Sequence, residues 1–187
     1  QNNKPDQALA LVEKLTPQQQ ERIGELGRLR AAQAVGAAKA AAQRGDDAGA
    51  RVALEDALLN DPTCPWIRLD LARLYMKMGA YNDARGVMDG LLVSNPDLPE
   101  AQYASALLAT EMQDWRGALN TLDNIPAQSR TRDMATLQKR AWVHVQAADA
   151  AELARQGRAQ EAIALLAQAE PQAGQDPELL GAIALGY

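Results

Sequence analysis

Apolar side chains recur along this 187-residue chain at helical intervals. Leu71, Leu74 and Met78 stand in an i, i+3, i+7 order, and Ala84, Met88 and Leu91 form a second stripe after Gly79. The stripes predict two amphipathic helices joined by a turn. Gly79 ends the first, being tolerant of left-handed backbone. Pro96 stops the second, because proline lacks an amide donor and clashes with the preceding turn. Small residues are required where the two antiparallel helices cross closely, which assigns Ala72 and Ala84 to the crossing; Tyr75 and Tyr81 are expected to fill wider gaps.

The hairpin repeats. Pro62 and Pro96 are 34 residues apart, as are Gly45 and Gly79, Ala50 and Ala84, and Leu54 and Met88. The same step carries Ala84 to Ala118, Met88 to Leu122 and Tyr81 to Trp115. A later unit keeps the pattern at a longer interval: Gly45 and Gly157, Ala50 and Ala162, Leu54 and Leu166, and Ala57 and Ala169 are each 112 apart, so one step in three carries about ten extra residues. The surplus falls before the first helix of a unit, in residues 16–45 and 126–157. Each stretch is expected to form one long helix or two short collinear ones, roughly 25 residues and about 37 Å in length. Their first turns are expected to lack a partner helix. Gly24 and Gly27 weaken the earlier one further, at roughly 1 kcal/mol each against alanine. Gly24, Gly27 and Ser129 are therefore candidate hinges.

The chain so divides into the end of a preceding repeat (1–17), an extra segment (18–30), repeats over 31–64, 65–98 and 99–126, a second extra segment (127–142), a repeat over 143–175 and the start of another (176–187). The terminal stretches "PDQALALVEKL" and "PELLGAIALGY" each carry an apolar face that a neighbouring repeat would cover, as expected for a piece of a longer array.

A 34-residue helical hairpin carrying Leu71, Ala72, Tyr75, Gly79, Tyr81, Ala84 and Pro96 resembles a tetratricopeptide (TPR) repeat. Residues 31–64 match through Ala38, Gly45, Ala50, Leu54, Ala57 and Pro62, with Ala41 where an aromatic is usual. Residues 99–126 match through Ala106, Trp115, Ala118 and Leu122, with Gln113 in place of the glycine. The resemblance implies an all-α fold, an α-solenoid of TPR hairpins interrupted by elongated or extra helices. It also implies a concave groove of mixed apolar and basic character, lined by Val35 and Lys39, then Trp66, Leu69, Arg73 and Lys77, then Tyr103. Trp66 and Tyr103 either anchor a ligand there or pack on a neighbouring helix. Co-chaperone TPRs grip a terminal carboxylate with Lys and Asn; the corresponding positions here hold Val35, Lys39, Leu69, Asp70 and Arg73, without the asparagines.

Charge and composition narrow the partners. A net charge of −5 supplies no basic field for a phosphate backbone, so no nucleic acid is expected as a partner. The longest aliphatic run, Ala162 to Ala167, is far short of the roughly 18–20 residues that span a bilayer, and no membrane insertion by this segment is expected. Cys64 stands alone and His144 is the single histidine, which excludes an internal disulfide and a zinc site; no metal and no cofactor is implied. Nor is a catalytic residue identified, since His144 has no acid, nucleophile or second ligand beside it in sequence. Asp46-Asp47 and Glu55-Asp56 read as solvated charges, and Trp142 reads as a core anchor. In "SRTRD" (129–133), Ser129 or Thr131 is expected to cap a helix, with two arginines able to meet an anionic partner.

Four longer strings carry a more specific resemblance. "PWIRLDLARLYMKMGAYNDAR" (65–85), the Ile-Pro to Arg-Thr-Arg stretch (125–132), the Trp-Val pair (142–143) and "LARQGRAQEAIALLAQAE" (153–170) together resemble the TPR region of the bacterial cellulose synthase operon protein C family. That resemblance implies a non-catalytic periplasmic scaffold, part of a larger outer-membrane-anchored protein, which links an inner-membrane synthase to an outer-membrane pore. Its partners would be proteins of the cellulose synthase and export machinery, with direct contact to the glucan chain at Trp66 as a separate hypothesis. The alternative is a soluble peptide-binding TPR adaptor unrelated to polysaccharide export.

Overall fold

The structure is a computed structural model that describes residues 14–186. The expected end of a preceding repeat therefore lies, for residues 1–13, outside the described residues, as does Tyr187. Helices account for the regular structure: α1 (Pro17–Gln43), α2 (Asp47–Asn60), α3 (Pro65–Lys77), α4 (Tyr81–Ser94), α5 (Pro99–Glu111), α6 (Trp115–Asp123), α7 (Arg132–Arg155), α8 (Ala159–Ala173) and α9 (Pro177–Gly186), with a short 3-10 turn at Ala127–Ser129. Among the described residues there is no strand.

Local chemistry accounts for where the long helices begin. Thr16 closes a capping box on α1: its hydroxyl accepts from the Gln19 amide at 3.3 Å, and its own amide donates to Gln19 Oε1 at 2.9 Å. Pro17 follows at the first helical position, where a missing N–H costs nothing. α7 is capped by Thr131, whose hydroxyl accepts from the Met134 amide at 3.3 Å, while Ser129 sits in the 3-10 turn before it. Each surplus stretch forms a single helix, of 27 and 24 residues, and α1 runs unbroken through Gly24 and Gly27.

The four hairpin turns share one design. At each, a backbone N–H reaches back five residues: Asp46 to Ala41, Ala80 to Tyr75, Asp114 to Ala109 and Arg158 to Leu153, at 2.8–3.0 Å. This Schellman closure needs a left-handed residue just before the donor. Gly45, Gly79 and Gly157 supply it at φ near +77°, and Gln113 is forced to φ +63° at the same place. A side chain held there costs on the order of 1 kcal/mol, so the turn dictates the backbone even where the glycine is gone.

The helices pack as two units, one ending at Val87 and the other starting at Met88. In the first, the α1 stripe Ala31, Ala34, Ala38 and Ala41 meets Ala50, Leu54 and Ala57 of α2, with Ile67, Leu71 and Leu74 of α3 completing the core. Alanines on facing helices let the α1–α2 hairpin close tightly. Ala72 and Ala84 are fully buried, as their assignment to close crossings requires. Tyr75 packs on this core and its hydroxyl donates to Glu55 Oε1 at 3.3 Å, whereas Tyr81 is 56% exposed and fills no gap.

The second unit has two cores. Ala106 of α5, Ala118 and Leu122 of α6, and Ile125 surround Met134, Leu137 and Ala141 of α7. Farther along, Val143, Ala147 and Ala150 of α7 meet Ala162, Leu166, Ala169 and Ala173 of α8 and Leu179 and Ile183 of α9. One helix thus serves both cores.

Candidate docking grooves

In the first unit, α1 and α3 flank a pocket of about 280 Å³. Its floor is apolar, formed by Ala38 of α1, Ala50 and Leu54 of α2, and Leu74 of α3, all buried. Val35 and Lys39 of α1 and Arg73 and Lys77 of α3 form the walls, so four of the seven residues expected in a groove come together. Helical spacing explains it: 35 and 39, like 73 and 77, are one turn apart and share a face. Asp70 also lines the pocket, 3.8 Å from Arg73. Lys77 donates to Asp47 Oδ1 at 2.6 Å. These carboxylates orient the cations, and three positive groups against Asp70 and Asp47 leave the rim with a small positive balance.

The other three expected residues lie elsewhere. Leu69 is 2% exposed and belongs to the interior, not to this pocket. Trp66, in the first turn of α3, is 44% exposed and does not line it. Tyr103 falls in the second unit, where it lines a separate pocket of about 220 Å³ with Asp133, Thr136, Leu137 and Arg140. Burial, with Asp133 nearby, pushes its phenol above the ordinary 10.0, so it stays a neutral hydrogen-bonding group. The α7 residues of this pocket lie in the stretch counted as surplus (127–142), which is why repeat arithmetic did not find them.

His144 has neighbours that its sequence context does not show. It stacks on Trp115 with ring centroids 3.7 Å apart and planes 4° from parallel, and Arg140 lies 5.5 Å over the same indole. Glu178 of α9 forms an ion pair with Arg140 and brings Oε1 to 3.7 Å from His144 Nε2, too far for a hydrogen bond. Burial lowers the imidazole pKa below 6.5 and Arg140 lowers it further, while Glu178 and Asp176 oppose. The cluster holds α6, α7 and α9 together.

Two further expectations resolve at the level of contacts. Arg130 is occupied inside the chain: it donates to the carbonyls of Ile125 at 2.8 Å and Asp123 at 3.2 Å and to Gln138 Oε1 at 2.9 Å. Gly27 has a packing role as well, since a Cβ there would stand 2.7 Å from the Asn60 carbonyl oxygen, whereas one at Gly24 would meet nothing nearer than Arg28 Nη1 at 3.9 Å. Among the described residues no three His, Cys, Asp or Glu side chains are grouped as metal ligands, and no helix is long and apolar enough to cross a membrane.

Stacked helical hairpins with a Schellman turn at the same place in each repeat define a TPR-like α-solenoid. The family model described as tetratricopeptide repeat matches residues 41–109. Over all 187 residues the chain is 39% identical to cellulose synthase operon protein C of Pseudomonas fluorescens (strain SBW25), covering 15% of that protein. It is 43% identical over 181 residues, 95% of its length, to cellulose synthase operon protein C of Xanthomonas axonopodis pv. citri (strain 306), covering 12% of it. The chain thus spans less than a sixth of these curated relatives, and along its whole length it is similar to part of them. A crystal structure of MamA protein shares the fold at 18% identity, with a TM-score of 0.52 over 84% of this chain and 81% of that one.

Proposed function

We propose that this chain is a non-catalytic scaffold segment of bacterial cellulose biosynthesis and export, standing in the periplasm and joining an inner-membrane synthase to an outer-membrane pore through protein contacts. The observation that carries the docking part is the first-unit pocket, where an apolar floor is rimmed by Lys39, Arg73 and Lys77. Such a site takes an extended or helical segment that places one apolar side chain on Leu54 and Leu74 and acidic groups along the rim. Similarity along this chain to part of two proteins named for the cellulose synthase operon supports the biological setting.

A photo-crosslinking residue at Lys39, in the full-length protein in intact cells, tests both parts. The expected product is a protein of the cellulose machinery, and Arg73→Glu should lower its yield by about tenfold through charge reversal at the rim. Crosslinking only to cytosolic proteins would overturn the reading in favour of an unrelated adaptor.

A further inference from the structure

The second unit holds a pocket that neither groove accounts for. About 330 Å³ in volume, it lies among α6, α7 and α8 and is lined by Leu119, Asp123, Gln138, Lys139, Trp142 and Gln172. That volume is at the low end of small-ligand sites, roughly 300–1,000 Å³, and suits one or two sugar rings. Trp142 is half-buried: one part packs on the core of α7, α8 and α9, the other faces the pocket. We infer that this is a subsite for a neutral saccharide, with the Trp142 indole as its stacking platform.

The lining chemistry selects that ligand class. A pyranose offers a face of weakly positive C–H groups and an edge of hydroxyls, and the negative face of an indole attracts the first. For the second, polar groups of every kind converge: the Asp123 carboxylate, the Lys139 ammonium, and the Gln138 and Gln172 amides. Asp123 and Lys139 balance in charge, so neither an anion nor a cation is favoured. Lys139, Gln172 and the Trp142 N–H make no hydrogen bond or ion pair with any described residue, which leaves their donors for a ligand. Two of the polar groups are already fixed. Arg130 holds Gln138 Oε1 at 2.9 Å, and the Gln138 amide donates to Asp123 Oδ1, so the carboxylate is oriented before anything binds. Preorganisation of this kind removes part of the ordering cost that weakens open sites.

The choice of a β-1,4-linked glucan as the occupant rests on the functional reading above. The test is an NMR titration of the isotope-labelled 187-residue chain with cellopentaose, with maltopentaose as the α-linked comparison. Cellopentaose should shift the Trp142 indole and the Gln138 and Gln172 amide resonances saturably, with a dissociation constant on the order of 1 mM. Trp142→Ala should abolish the response. Because that variant also removes core packing, Gln172→Ala serves beside it: Gln172 is exposed and uninvolved in the fold, and its loss should weaken binding about fivefold, as for one hydrogen bond. Absent shifts at these side chains, or binding undiminished in both variants, would each overturn the assignment, and equal shifts with maltopentaose would overturn the β-1,4 choice. A chain that crosslinks to the cellulose machinery through Lys39 yet ignores cellopentaose would lose this site and keep its scaffold role; saccharide binding here without that crosslink would do the reverse.

Discussion

The two long helices occupy the same place in the repeat arithmetic and are covered very differently. In α1, burial begins only at Ala31; before it, Ile23, Leu26 and Leu29 are 47%, 54% and 63% exposed. In α7, burial begins in the first turn, with Met134 at 4%, Leu137 at 8% and Ala141 at 0%. The expectation that surplus turns lack a partner helix fails for α7, because Leu122 of α6 and Ile125 just beyond its end lie against them. Arg130 holds that arrangement by tying the last carbonyls of the α6 side to Gln138. Surplus length is therefore not surplus surface. The extra turns of α7 are covered because the chain folds back on them through Leu122 and Ile125, and a repeat count carries no information about that.

The contrast is sharpest in the core. Met134→Ala in α7 should cost about 2–5 kcal/mol, a buried large-to-small change with its cavity. Leu26→Ala, in the exposed first part of α1, should change stability by no more than about 0.5 kcal/mol, like other exposed substitutions. Urea unfolding of both variants measures the difference, and equal losses would erase the distinction. Arg130→Ala comes next, at about 2 kcal/mol, since it removes three hydrogen bonds from a charged donor. Its signature is local: amide exchange over 132–141 should rise toward that of 18–30.

Much of this architecture was legible in the chain. Period 34, the glycines at 45, 79 and 157 and the alanine stripes define hairpins, because each answers a steric demand within a dozen residues. That Val35, Lys39, Arg73 and Lys77 lie near one another was legible for the same reason, since they stand on two equivalent helix faces. What the period cannot encode is the far side of a contact. One repeat position is half-buried at Val35, buried at Leu69 and half-buried at Tyr103; another leaves Tyr81 in solvent and stacks Trp115 on His144. Phase around a helix follows from local spacing, whereas the partner comes from a segment tens of residues away, as Glu178 does for His144.

The two glycines of α1 divide in sign, which sharpens its comparison with α7. We propose Gly24 and Gly27 as hinge points of α1, where weak helix propensity falls in turns with little cover, whereas the Arg130 hydrogen bonds beside Ser129 oppose a hinge there. Gly24→Ala should stabilise the chain by about 0.5–1 kcal/mol, the ordinary gain in an open helical position. Gly27→Ala should lose that gain and destabilise by about 1 kcal/mol, because the new methyl meets the Asn60 carbonyl, a backbone atom that cannot swing away. Hydrogen exchange should show 18–30 far less protected than 71–78 in the parent chain and partly rescued by Gly24→Ala. Equal protection of the two stretches would remove the hinge from α1.

The smallest effect tests what anchors the far half of α7. His144 is held largely away from water against Trp115, with Arg140 on its own helix and Glu178 and Asp176 reaching it from the α9 side. Burial leads the balance and Arg140 adds to it, so the folded pKa lies below the 6.5 of a free imidazole. The unfolded chain therefore binds this proton more readily. The contribution of neutral His144 is complete above pH 6.5 and is lost as pH falls through 6.5 toward the folded value. Thermal melts over that window should show a decline that His144→Gln reduces, with exchange rising in α7 around residue 144. α1 carries no histidine, so the variant should leave the pH response of residues 18–30 unchanged. A parent chain that grows more stable on acidification through this window, with the gain removed by His144→Gln, would mean that the Glu178 ion pair outweighs burial and that charge, not stacking, holds α9 to α7.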